Sequence, residues 1–143
     1  MSYDETTVGD RLVTAGRTVT EADLVNFAGV SGDFNRLHTD ATAMTGSAFG
    51  ERIAHGALVF SIMTGLLWQA REDGDAVVAF YGVDDLRFRA PTTVGDTVRV
   101  ELEVADKRPT EHPEATGIVS YRAEVKTADD AVVLSCTLLS LLR

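Results

Sequence analysis

The sequence predicts an α+β fold, with a curved antiparallel sheet able to wrap around one long buried helix. Two observations predict it. From Gly56 to Ala70 almost no residue offers a polar face, and a helix apolar all round belongs inside a protein. After it come about four consecutive strands, each with a single apolar face that must be covered by another layer.

The elements follow in order. Thr20-Glu21-Ala22-Asp23 matches a capping box, in which a hydroxyl and a carboxylate satisfy free amides of a first helical turn. Leu24, Phe27 and Ala28 then recur at helical spacing, and Gly29 or Gly32 ends the helix. From Asp33 to Arg52 the pattern is broken by short polar runs, Gly46 and Gly50, with one short helix near Asp40 to Met44. The helix over 56–70 carries Ala57, Leu58, Val59, Phe60, Ile62, Met63, Leu66, Leu67 and Trp68, and is expected to be buried on every side.

Strand signals fill the second half. Val77 to Tyr81 is a short apolar run, and Leu86 to Arg89 alternates apolar and basic. Over Thr97 to Val104 every second residue is apolar (Val98, Val100, Leu102, Val104), the mark of a strand with one wet face. Ile118 to Lys126 puts Val119, Tyr121, Ala123 and Val125 on one face, and Val132 to Leu142 closes the chain as a more apolar strand. Gly95-Asp96 and Asp129-Asp130 mark turns. Ala105 to Gly117, with Pro109 and Pro113, reads as a loop between strands.

Whole-chain properties bound the function. A length of 143 residues with no repeat or linker suits a single domain over 1–143, large enough to bury a core without staples. The lone cysteine, Cys136, lies in an alternating apolar run and reads as a buried thiol rather than a nucleophile. The acidic first residues carry no apolar stretch, so they are not a secretory signal. The longest apolar run, about Ala57 to Trp68, is shorter than the roughly 20 residues that span a bilayer. A soluble, cytoplasmic chain is expected. A net charge of −9 with no block of Lys and Arg disfavours a nucleic-acid partner, because phosphate contacts need a basic surface.

Chemistry concentrates in the broken region. Asp33 and His38 lie five residues apart in a segment bounded by glycine and read as non-helical. A carboxylate and an imidazole can act on one water, one taking its proton and the other delivering a proton to the substrate. Asn35 between them can orient either group. Asp, Asn and Gly are also ordinary turn formers, so spacing alone leaves a plain loop open. The second element is Ile53-Ala54-His55-Gly56, directly before the buried helix. A helix start offers unpaired amides and a positive dipole end, so the Gly56 amide can stabilise an oxyanion developing on a carbonyl. The plainer alternative is that Gly56 permits tight entry of the helix and His55 caps it; in the catalytic reading His55, like Asn35 and Arg36, is expected to support the pair.

Arg87 and Arg89, with Lys107 and Arg108 elsewhere, can meet the phosphates of an acyl carrier or simply form the wet face of the sheet. Ser61 and Thr64 are polar positions on the buried helix, able to bond back to helix carbonyls or to face a pocket. His112 sits in the Pro-flanked loop and reads as solvated. No nucleophile elbow, P-loop, dinucleotide fingerprint or Cys/His metal spacing occurs, so no metal and no cofactor is expected.

The run from Phe27 to Asp40 (Phe-Ala-Gly-Val-Ser-Gly-Asp-Phe-Asn-Arg-Leu-His-Thr-Asp) resembles the hydratase signature of MaoC-like dehydratases and (R)-specific enoyl-CoA hydratases. Ile53-Ala54-His55-Gly56 is similar to that family's entry to its central helix. Phe88-Arg89-Ala90-Pro91 followed by Gly95-Asp96-Thr97 is similar to its later strand-turn-strand element. The three matches occur in the family's order and span roughly Thr20 to Val104.

The resemblance implies a hot-dog fold and a homodimer, or a higher homo-oligomer, with sheets joined edge to edge. It implies a thioester tunnel near the subunit interface. It makes Asp33 and His38 the catalytic pair, Asn35 their support and the Gly56 amide the oxyanion donor. The implied reaction is that of a hydro-lyase of fatty acid metabolism: trans-2-enoyl-CoA, or its acyl-carrier-protein equivalent, is hydrated reversibly to an (R)-3-hydroxyacyl thioester. Three alternatives stay open: an acyl-CoA thioesterase on the same fold, a non-catalytic acyl-thioester-binding subunit of a heteromeric dehydratase, and a pathway-specific dehydratase or cyclising enzyme acting on a carrier-bound intermediate. Arg36 departs from the pattern, which has Pro after the Asn, and can instead reach a substrate or a carboxylate. The alanine expected six positions after the His is also displaced, with Ala43 at five and Met44 at six.

Overall fold

Six strands form one antiparallel sheet in the computed structural model, which describes residues 1–72 and 74–143. Two short strands open the chain, β1 (Arg11–Val13) and β2 (Arg17–Thr18). Four long ones close it: β3 (Val77–Phe88), β4 (Thr97–Pro109), β5 (Gly117–Thr127) and β6 (Val132–Leu142). The order across the sheet is β1-β4-β5-β6-β3, with β2 also paired to β4. Between the two groups lie α1 (Glu21–Ser31), α2 (Arg36–Thr39), α3 (Ala41–Thr45) and α4 (Gly56–Gln69).

Strict alternation along β4 and β5 sets the core. Val98, Val100, Leu102 and Val104 pair with Thr127, Val125, Ala123 and Tyr121, and the inward residues of both strands are buried. On α4 the buried set is Leu58, Val59, Ile62, Met63, Leu66 and Leu67, the i, i+3, i+4 stripe that meets the sheet. Met63 is fully buried at its centre. Each such apolar side chain stabilises the fold by about 1.5–3 kcal/mol relative to leaving it in water. The antiparallel sheet around one long helix is the architecture expected from the sequence.

Several expectations are corrected in detail. The helix over 56–70 is not buried all round: Ala57, Ser61 and Gln69 are exposed, and Trp68 is 59% exposed. The sheet of one chain covers only one side of the cylinder, so the other side faces outward despite its apolar residues. The segments 77–81 and 86–89 are parts of one strand, because bulges between Val77 and Ala79, Phe80 and Gly82, and Asp84 and Arg87 break the two-residue period without breaking the pairing with β6. Most of the loop expected over 105–117 is strand. A register shift between Val104 and Asp106 carries β4 on to Pro109, and only 110–116 remains outside the ladder.

Among the described residues, no helix is long and apolar enough to cross a membrane.

Candidate active site

The carboxylate of Asp33 and the ring of His38 are brought together by a chain of local caps. The box at Thr20 forms as expected: the Asp23 amide donates to Thr20 Oγ1 at 3.2 Å and the Thr20 amide to Asp23 Oδ2 at 2.9 Å. Helix α1 ends at Gly32, whose φ of 74° is the left-handed conformation that glycine adopts without strain. The Asp33 amide then donates to Ser31 Oγ at 3.1 Å, and the Asn35 amide donates to Asp33 Oδ1 at 3.2 Å. Asn35 also caps the next element, its Oδ1 accepting from the Leu37 amide at 2.9 Å.

His38 is therefore on a helix, α2, which corrects the reading of this stretch as non-helical. Asp40 ends α2 and caps α3 by accepting from the Ala43 amide at 2.9 Å. Elements of four and five residues are too short for hydrophobic periodicity to register.

His38 is 8% exposed. Its Nδ1 lies 2.7 Å from the Ile53 carbonyl oxygen, which can only accept, so Nδ1 carries a proton and Nε2 is the free nitrogen. Nε2 lies 3.7 Å from Asp33 Oδ2, beyond direct hydrogen-bond reach. A water placed to one side can reach both atoms. The Asp33 side chain is half exposed, so that water has a route in.

The third group is the start of α4. His55 occupies the N-cap position but its side chain makes no cap hydrogen bond, contrary to the capping alternative raised by the sequence. The Gly56 N–H has no acceptor among the described residues. Gly56 and His38 line the same open cleft of about 380 Å³, with Phe49, Ile53, Val59, Phe88 and Arg89 among its walls. A Cβ at position 56 would lie 2.7 Å from the Phe88 ring, so glycine is what lets that ring close on the helix start. The sequence does not mark Phe49 or Phe88 as site residues. Only tertiary packing brings them to the cleft, although Phe88 sits in the Phe-Arg-Ala-Pro run.

Other expected residues fall differently. Arg89 reaches the cleft wall, with its Nε donating to Ser135 Oγ at 2.9 Å. Arg87 is exposed and bonds the neighbouring Leu86 carbonyl. Ser61 is exposed and returns its hydroxyl to the Ala57 carbonyl, and Thr64 returns its own to Ser61. Arg36 is exposed with no side-chain partner among the described residues. Burial pushes the Cys136 thiol up to about 11, as suits an inert core thiol.

Asp33, His38 and His55 each offer one possible metal-ligating atom within 4.8 Å of the others. The two imidazoles, however, are stacked at 3.6 Å between centroids and 24° between planes. Ligand lone pairs lie in the ring planes, so those of stacked rings run side by side instead of meeting at one ion. The cluster is better arranged for proton handling. A separate cavity of about 220 Å³ lies near the far end of α4, walled by Leu12, Leu67, Leu102, Tyr121 and Arg71. It lacks a carboxylate–imidazole pair of this kind.

The family model described as MaoC like domain matches residues 4–127. The chain belongs to this family. Protein MaoC of Klebsiella aerogenes is 45% identical over 100 residues, which are 70% of this chain and 29% of that protein. The (R)-specific enoyl-CoA hydratase of Aeromonas caviae is 38% identical over 87 residues, 61% of this chain and 63% of that protein. The match to 3-hydroxybutyryl-CoA dehydratase of Methylorubrum extorquens, at 36% identity, covers 65% of this chain and 57% of that protein. The chain thus spans less than two thirds of these relatives.

Among solved structures, a monoamine oxidase regulatory protein from Archaeoglobus fulgidus superposes with a TM-score of 0.92 at 36% identity, covering all of this chain and 94% of that one. The (R)-hydratase of Aeromonas caviae gives 0.80 at 29% identity, over 97% of this chain and 98% of that one. A Mycobacterium tuberculosis protein with a double hot-dog fold gives 0.82 at 23% identity, over 99% of this chain and 44% of that one, a likeness of fold alone. The fold is the hot-dog fold.

Proposed function

We propose that the chain catalyses reversible hydration of a trans-2-enoyl thioester to an (R)-3-hydroxyacyl thioester. The observation that carries this is the approach of Asp33 Oδ2 to His38 Nε2, 3.7 Å apart, where His38 shares a cleft with the unclaimed amide of Gly56. The names of the hydratase and dehydratase relatives support it.

In this reading the thioester carbonyl accepts from the Gly56 N–H at the positive end of α4. Asp33 and His38 hold one water between them. Its oxygen bonds to C3 as the free Nε2 of His38 takes one of its protons and the C2–C3 π pair moves onto C2; that same proton then passes to C2, so the water adds across the double bond and both side chains end as they began. The charge that builds on the carbonyl oxygen in passing is greatest in the transition state, which is where an oriented amide stabilises most. The apolar cleft walls hold the acyl chain, and Arg89 stands at the wall for the carrier. We propose coenzyme A or an acyl carrier protein as that carrier, and an edge-to-edge homodimer as the assembly.

Hydration of crotonyl-CoA, followed by loss of enoyl absorbance with chiral analysis of the product, tests the reading. Asp33→Ala and His38→Ala should each lower kcat by about 10²–10⁴-fold, as expected for losing an acid–base group, while each variant still folds; His38→Ala should also lose some stability, because its buried ring packs on His55. Full activity in either variant overturns the assignment. Release of free thiol without loss of enoyl absorbance assigns a thioesterase instead.

A further inference from the structure

His55 has no part in the steps above, yet it touches every part of the site that does. Its Nε2 lies 3.0 Å from the backbone carbonyl of Asp33. Its ring stacks on His38 with centroids 3.6 Å apart. Phe27 of α1 meets the same ring edge-on at 5.0 Å and 61°. The residue itself starts α4, one position before Gly56. We propose that His55 is a positioning residue, a clamp whose hydrogen bond fixes the Asp33 backbone relative to the start of α4. The inference rests on the reading of Asp33 and His38 as the reacting pair.

Two features argue against simple packing. The first is the hydrogen bond. A carbonyl only accepts, so His55 must carry its proton on Nε2, and the bond fixes the peptide plane that joins Asp33 to Phe34. That plane sets the direction in which the Asp33 side chain leaves the backbone. The second is a cost. His55 is 3% exposed, and its Nδ1 is a buried side-chain nitrogen with no partner. Buried polar atoms are almost always satisfied, because an unmade hydrogen bond forfeits the solvation lost on burial. A phenylalanine would fill the same space, stack on the same ring and avoid that cost. Retaining histidine makes sense if its one hydrogen bond does something that packing does not.

Two substitutions separate these roles. His55→Phe keeps the ring and loses the donor. His55→Gln keeps a donor near the Nε2 position and loses the ring. His55→Phe should lower kcat for enoyl-thioester hydration on the order of 10–100-fold, the scale of a misplaced reacting group. Its KM should stay within about threefold, because no substrate contact is removed. Its melting temperature should stay close to that of the parent, since the unsatisfied Nδ1 is gone while the Asp33 carbonyl loses its donor. His55→Gln should keep kcat within about threefold of the parent, a variation too small to reflect a lost positioning contact. The proposal is overturned if His55→Phe retains the parent kcat, if kcat and melting temperature fall together in it, or if His55→Gln is as poor as His55→Phe.

A second readout needs no turnover. In ¹⁵N spectra the Phe34 amide, which belongs to the fixed peptide, should shift in His55→Phe and stay close to its parent position in His55→Gln. An unmoved Phe34 amide in His55→Phe overturns the clamp whatever the activity. If the parent hydrates no enoyl thioester while the amide behaves as stated, the clamp stands and the assigned reaction falls.

Discussion

Asn35 does two jobs with two groups. Its amide holds the Asp33 carboxylate, and its side-chain oxygen caps the helix that carries His38. One residue therefore ties the acid to the imidazole's helix; the backbone N–H could come from any residue but proline, and it is the cap through Oδ1 that calls for an Asn. Arg36 follows at the first position of α2. A proline is well placed there in general, because its fixed φ suits the helix start and its missing N–H has no helical partner to lose. Asn35 has φ −55° and ψ 140°, the backbone that a following proline demands, and the Arg36 N–H donates to no acceptor among the described residues. The chain thus holds the proline geometry without the proline. Arg36→Pro should raise stability by about 0.4–1 kcal/mol by restricting the unfolded chain, as read from urea denaturation. A loss of stability instead would show that the Arg36 amide or side chain is engaged. A rise in KM alone would show that the guanidinium meets the substrate.

At the scale of elements, the site depends on helix ends. The start of α1 is fixed by the capping box and by Arg17, whose guanidinium lies 2.7 Å from Asp23 Oδ1. Arg52 pairs with Glu21 through both carboxylate oxygens, joining the first turn of α1 to the segment that leads into α4. Both ion pairs are partly exposed and contribute little by themselves. The cap matters more: Thr20→Ala should cost about 1 kcal/mol. Equilibrium urea unfolding with an unchanged slope checks it. A loss within error of zero would place the stability of α1 entirely in Leu24 and Ala28, its buried residues.

These same elements show what was legible beforehand. The capping box, the apolar helix and the alternation of β4 are local patterns, and each forms where the sequence places it. Strands β1 and β2, three and two residues long, could not be read, because only their pairing with β4 makes them strands. The bulges of β3 hid one strand as two, and Asp85 there takes a positive φ of 54° that no periodicity signals. The Asp33, His38 and Gly56 set was readable as chemistry at suggestive positions. The stack of His55 on His38 was not, because it joins residues 17 apart through tertiary packing. Ser61 and Arg87 looked eligible by type, but their polar groups are returned to local backbone carbonyls.

For the whole molecule, the decisive feature is the free edge of the sheet. Among the described residues β3 pairs only with β6; it is 12 residues long, with Phe80 and Tyr81 each about half exposed. Trp68 on the outward side of α4 is exposed as well. A long edge strand with unpaired amides and aromatic side chains invites another strand; the bulge between Asp84 and Arg87 and the charges of Asp84, Asp85 and Arg87 blunt the later half of β3, but Val77 to Val83 carry no charge. The described part of β3 contains neither lysine nor proline. A second copy satisfies the edge if β3 pairs with β3 about a twofold axis, where the same patch serves both partners. Phe88 lies on this strand and Arg89 directly after it, and both wall the cleft, so pairing there would also shape the site. Sedimentation velocity at micromolar concentration should show a dimer. Phe80→Lys combined with Tyr81→Lys should shift it toward monomer by placing charges at the contact. If the cleft is completed by the partner, activity per chain should fall in step with the dimer fraction on dilution. A double variant that stays dimeric would move the interface off β3, and a monomer with undiminished activity would leave the cleft complete within one chain.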